Sequence, residues 1–156
     1  VTESTHPPSL LKGFAAGLIA GLVATAAKSI AEKLYPPRTQ GEPEPPTVLA
    51  EQIAGHPLDP MPQTIASEAI HWAFGAAAGA AYGAVAEFYP AVTDKKGATF
   101  GLALMSMTHR SALPAMGLAA EPADQTTREQ TSEAATHLVY GVVAETVRHT
   151  VRGLLD

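Results

Sequence analysis

Six ionisable residues carry most of the chemistry available to this chain: Lys28, Glu32, His71, His109, Glu133 and His137. Histidine titrates at about pH 6.5, so three imidazoles beside two carboxylates form a set that gains charge as the surroundings acidify. The same side chains suit two other uses. Three histidines with a carboxylate are a donor set for zinc or iron, and a histidine pair on different helices is the arrangement of two axial haem ligands. The chain has no cysteine, which excludes disulfides, thiolate metal sites and thiol nucleophiles. Serine chemistry is poorly supported. Ser67 and Ser132 open the similar stretches "SEAIHWAFG" and "SEAATHLVYG", each with Glu and His close behind. Such pairs arise on one helix by spacing alone, and no glycine pattern of a nucleophile elbow surrounds either serine. "GAAAGAAYG" lacks the Lys-Ser/Thr ending of a phosphate loop. No enzymatic activity and no catalytic residue is expected.

These residues must be positioned by helices. Four weakly charged segments are separated by polar connectors, and they predict helices over about 10–35, 63–89, 97–118 and 132–154. Pro36 and Pro37 stop the first and Pro90 the second, because proline cannot continue a helix. The first connector is dense in proline, and within it "TVLAEQIAG" predicts a short interfacial helix. The expected fold is all-α, a single domain built as a four-helix transmembrane bundle. Charged residues make up 16% of the chain and hydrophobic ones 46%, against roughly 25% charged in a soluble domain. The mean hydropathy of +0.07 averages the polar connectors with the apolar runs. The stretch 69–86 contains no Asp, Glu, Lys or Arg and approaches the ~20 residues of a membrane span. The segment "VTESTHPPS" has no basic start and no apolar centre, so it is not expected to be a cleaved signal. A net charge of −5 argues against a nucleic-acid partner.

Glycine spacing favours the bilayer over a water-exposed bundle. Gly13, Gly17 and Gly21 form one ladder, and Gly75, Gly79 and Gly83 a second. In lipid, close backbone approach through small residues supplies packing contact. In an exposed helix each glycine would cost ~1 kcal/mol relative to alanine. Both ladders are expected to serve helix packing, within the chain or between copies of it.

Four consecutive spans alternate in direction, which brings the end of helix one, the start of two, the end of three and the start of four to the same face. At 1.5 Å rise per residue, Lys28, His71, His109 and His137 then lie ~10 Å below that face. Glu32, Glu68 and Glu133 stand a turn nearer the surface. Ionisable groups in a membrane are costly unless they share a polar interior, and they are functional candidates by default. The excess of Lys and Arg in the short flanks puts both termini on the cytoplasmic side, with the histidine layer open to the periplasm.

Along most of its length the chain resembles the YagU-like inner-membrane proteins of bacteria, a domain family of unknown function associated with acid resistance. "KSIAEKLYPPR" (28–38) resembles that family's exit from helix one, and His71 with "YGAVAEFYP" (82–90) its second helix. "GATFGLALMSMTHRSALPAMGL" (97–118) resembles the third, and "SEAATHLV" (132–139) with Glu145 and Arg148 the fourth. The resemblance supports Lys28, Glu32, Arg38, His71, His109, Glu133 and His137. It adds Glu87, Glu145 and Arg148, expected as a second polar cluster. Glu68 and Arg110 have no counterpart in that pattern, and the first connector is shorter than in the longer members. The resemblance implies a multi-pass protein of the bacterial inner membrane, proton-responsive and linked to acid resistance. Two alternatives stand beside it. One is an accessory or structural subunit of a larger membrane complex or a homo-oligomer. The other is a haem or metal protein using His71, His109 and His137, although the leading reading expects no cofactor.

Overall fold

Helix α1 (Leu10–Leu34) begins where the Ser9 side chain accepts the Lys12 backbone N–H, and it ends at the Pro36–Pro37 pair. A computed structural model describes residues 7–155 of the protein, and their regular structure is entirely helical. Helix α2 (Pro45–Ala54) is the short element expected in the first connector, closed by Gly55 at a φ of 76°. Helix α3 (Pro60–Phe88) starts a little before the predicted position of about 63. Pro60 occupies a first-turn position, where a missing N–H costs nothing and the fixed φ suits the helix. A 3-10 stretch over Pro90–Gly97 follows, in which Lys95 and Lys96 adopt left-handed backbone.

The third predicted helix, 97–118, is not continuous. Helix α4 (Ala98–Met107) gives way to a π turn over Thr108–Ala112 and then a short α5 (Leu113–Ala115). Pro114 has no N–H to return to the carbonyl four residues back, so the ladder must rearrange there. Side chains take up part of the slack. Thr108 donates its hydroxyl to the Leu104 carbonyl at 2.8 Å, and Ser111 to the Ser106 carbonyl at 3.1 Å. Helix α6 (Thr127–Leu154) begins earlier than the expected 132. Thr126 accepts the Glu129 N–H at 3.1 Å, a cap three residues ahead of a glutamate in what reads as plain polar connector.

Helices pack in two close pairs. In the first, Gly13, Gly17 and Gly21 of α1 face Gly83, Gly79 and Gly75 of α3. A Cβ added to Gly79 would stand 2.5 Å from the Gly17 carbonyl oxygen, and one on Gly21 2.5 Å from that of Gly75. No larger residue fits without separating the helices. In the second pair, Gly97 and Gly101 beside α4 meet Gly141 of α6, where a Cβ would stand 2.7 Å from the Gly101 nitrogen. Aromatic side chains link the pairs. Tyr82 of α3 stacks on Phe100 of α4 with ring centres 4.0 Å apart, and Tyr140 of α6 donates to the Gly75 carbonyl at 2.6 Å.

The interior is small and polar while the exterior is large and apolar. Ala16, Ala20, Ala24, Ala80 and Ala144 are almost wholly buried, as are Ser132, Glu133 and Thr136. Leu18, Ile19, Leu22, Val23, Phe74, Val85, Leu102 and Val142 point outward. Soluble domains distribute these residue types the other way. Among the described residues, one helix, α1, is long and apolar enough to cross a membrane on length and composition alone. Of the other three expected spans, two fall short for visible reasons. Helix α4 has ten residues before the π turn, and α6 carries Glu133, Glu145, Arg148 and Arg152.

Candidate functional site

The first-connector end of the bundle holds a half-open cavity of about 460 Å³ between α1, α2, α3, the π turn and α6. Lys28 and Glu32 line it from α1, His71 from α3, His109 from the π turn, and Glu133 and His137 from α6. The six residues singled out by type and depth therefore share one cavity. They do not form one cluster, however. The geometry divides them into two groups.

On the α6 side, Glu133 is the centre. Its side chain is 2% exposed. His109 Nε2 stands 3.3 Å and His137 Nδ1 3.6 Å from its Oε2, and the two imidazole rings meet edge to face at 5.0 Å. One ligand atom from each of the three residues lies within 4.8 Å of the others. His137 Nδ1 also donates to the Glu133 backbone carbonyl at 2.8 Å. A carbonyl only accepts, so that bond places the ring proton on Nδ1 and leaves Nε2 with its lone pair.

Arg38 holds the other oxygen of Glu133. Its guanidinium donates to Glu133 Oε1 at 3.2 Å, to Glu129 Oε1 at 3.2 Å and to Glu44 Oε2 at 2.9 Å. Arg38 thus ties the first connector to α6 and to the start of α2. Around it the same connector is clamped again. Arg128 donates to the Pro36 carbonyl and lies over the Tyr35 ring, and Ser132 donates to the Tyr35 carbonyl. Tyr35, Pro36 and Arg38 at the exit of α1 therefore dock directly on the start of α6.

On the α1–α3 side, Lys28 forms an ion pair with Glu32 one turn along. His71 Nε2 lies 3.2 Å from Ser29 Oγ, in the same cavity as the other two histidines. Among the described residues, the group that brings ligand atoms within 4.8 Å of one another is His109, Glu133 and His137, and His71 of the expected triple is not in it. Equal depth along a helix does not fix the direction a side chain takes around it. Glu68, a less secure member of the layer, accepts the Trp72 indole N–H at 3.1 Å at the rim.

The second cluster lies at the opposite end of the bundle. Glu145 accepts both Arg148 Nε and Nη2, at 2.7 and 2.8 Å, and the Tyr82 hydroxyl at 2.6 Å. Glu87 pairs with Arg152 at 2.7 Å and accepts the Ser9 N–H at 2.9 Å, where α1 begins. Each carboxylate is met by an arginine and a further donor, which is the pattern of a closed structural lock. Arg152 and Tyr82 were not expected in it. The i,i+4 spacing of Arg148 and Arg152 was the available signal for the former.

Comparison with known families matches residues 22–146 to the one described as "Protein of unknown function (DUF1440)". The matched span covers α2 to α4 whole and takes in Lys28, Arg38, His71, His109, Glu133 and His137. No curated protein and no solved structure matches the chain.

Proposed function

The chain belongs to the DUF1440 family of proteins of unknown function, and from that premise we propose that it is an integral protein of the bacterial inner membrane whose polar cavity responds to external acid. The observation that carries the reading is the inverted distribution of side chains. Leu18, Ile19, Leu22 and Val23 of α1, Phe74 and Val85 of α3, and Val142 of α6 face outward, whereas Glu133, His137, Glu145 and Arg148 are enclosed. In water that arrangement is unfavourable on both surfaces. In lipid it buries apolar area in the hydrocarbon and keeps the ionisable groups inside the bundle. The interrupted third segment is compatible with this, because irregular backbone at membrane depth is tolerated where it lines a cavity.

Within the cavity, charge on the histidines is opposed and supported by groups from every surrounding element. Lys28 and Glu32 stand on α1, Arg38 on the connector and Glu44 at the start of α2. His71 and Glu68 stand on α3, His109 on the π turn, and Glu129, Glu133 and His137 on α6. Protonation there changes the balance between Lys28 and Arg38 on one side and the carboxylates on the other. That change bears on the packing of α1, α3 and α6. The resemblance to the YagU-like proteins supports a link to acid resistance. The reading involves no catalytic step, and the distribution of Lys and Arg supports cytoplasmic termini.

Two measurements test it. The protein is expected to remain in the membrane fraction through an alkaline carbonate wash. In a strain whose acid survival depends on it, replacing His71, His109 and His137 together with Gln is expected to abolish that survival. Release by the wash contradicts the membrane assignment, and unchanged survival contradicts the acid response.

A further inference from the structure

We infer that His109, Glu133 and His137 form a binding site for a first-row divalent cation, with zinc the best match. The inference stands on these three side chains and does not depend on the membrane reading. Two nitrogen donors and one carboxylate oxygen are a donor set for such ions, used by zinc sites that keep a further coordination position open. Ligand atoms around a tetrahedral zinc stand about 3.4 Å apart, as bond lengths of about 2.0–2.2 Å require. The edge from His109 Nε2 to Glu133 Oε2 is already 3.3 Å. All three ligand atoms lie within 4.8 Å of one another.

A second, independent observation points to a ligand. Among the described residues, Glu133 Oε2 is the buried side-chain polar atom with no hydrogen-bond partner. The side chain is 2% exposed, and this oxygen is aimed between the two imidazoles. A buried carboxylate oxygen is costly to leave without a donor or a cation. The residues behind the ligands are also those a metal site needs. His137 is oriented by donating Nδ1–H to a backbone carbonyl at 2.8 Å, the outer contact that fixes a ligating histidine. Arg38 holds Glu133 by Oε1 and leaves Oε2 to the site. The nearby ammonium of Lys28 is paired with Glu32, which limits its repulsion of a bound cation. All three residues line the cavity, from which water or a small anion would complete the coordination.

The test uses the full chain, purified and stripped with a chelator, and titrated with Co²⁺ followed by competition with Zn²⁺. The expected result is one Co²⁺ per chain with the intense visible absorption of a four-coordinate site, displaced by Zn²⁺. His109→Gln and His137→Gln each abolish the signal. Arg38→Gln weakens binding by about 10–100-fold, as loss of an outer contact does. His71→Gln, which alters the same cavity outside the cluster, leaves affinity unchanged. Absence of stoichiometric binding in the unmutated protein overturns the proposal, whatever the folding of any variant. Wild-type affinity in folded His109→Gln also overturns it, as does an equal loss in His71→Gln.

Discussion

Arg38 is the residue on which the candidate site depends most, and the one whose contacts were least visible beforehand. It sits in a proline-rich connector, where helical periodicity says nothing about partners. Its guanidinium nevertheless reaches Glu133 and Glu129 on α6. Both ends of the Arg38–Glu133 pair are nearly inaccessible, at 6% and 2%. Removing one member of such a pair leaves an uncompensated charge, so Arg38→Gln is expected to destabilise the fold by about 3–5 kcal/mol. Unfolding in detergent, followed by circular dichroism, measures this. Tyr140→Phe makes a milder comparison, since it removes the bond to the Gly75 carbonyl at a cost of about 1 kcal/mol. At this scale the sequence brought Lys28, His71, His109, Glu133 and His137 together, and they line one cavity. Their grouping within it was not legible. Counting residues from a helix end gives height but not azimuth, so it could not tell that His109 and His137 share a group with Glu133 while His71 meets Ser29.

Among the elements, the glycine ladders were readable as a spacing, and their partners became clear only with the helices in place. Gly13, Gly17 and Gly21 meet Gly83, Gly79 and Gly75 within the chain, so those faces are occupied by each other. Gly97, Gly101 and Gly141 make a comparable contact between α4 and α6. The sequence hides it because Gly141 belongs to a different segment and makes no ladder of its own, although the four-residue step from Gly97 to Gly101 is present. Gly79→Ala would press a methyl group against the Gly17 carbonyl, and overpacking of this kind costs about 1–3 kcal/mol. Gly153→Ala is the control. It lies in α6 with open space around it, and it is expected to be neutral or to stabilise by up to ~1 kcal/mol through helix propensity. Thermal midpoints of the two variants should therefore move in opposite directions or one alone should fall. The break at Thr108–Ala112 was foreshadowed by Pro114, yet hydropathy read through it as one helix. His109 lies within that break, with its Nε2 3.3 Å from Glu133 Oε2.

For the molecule as a whole, side chains are sorted in the reverse of a soluble bundle. Alanine, glycine and enclosed charges fill the middle, and the larger aliphatic residues of α1, α3 and α6 face out. The long apolar runs announced this in the sequence, but among the described residues only α1 meets the length and composition of a span by itself. The polar cavity explains the difference, because α6 contributes the charges that line both ends of the interior and so loses apolarity as a segment. We propose that this outer face lies against lipid. It is tested most directly with a spin label at Leu22→Cys on the outward face of α1, in a chain with no cysteine of its own. Reconstituted in liposomes, the label should be relaxed strongly by molecular oxygen and weakly by a water-soluble nickel chelate. Strong relaxation by the chelate, equal to that of a label on the connector at Gln40→Cys, would contradict the account.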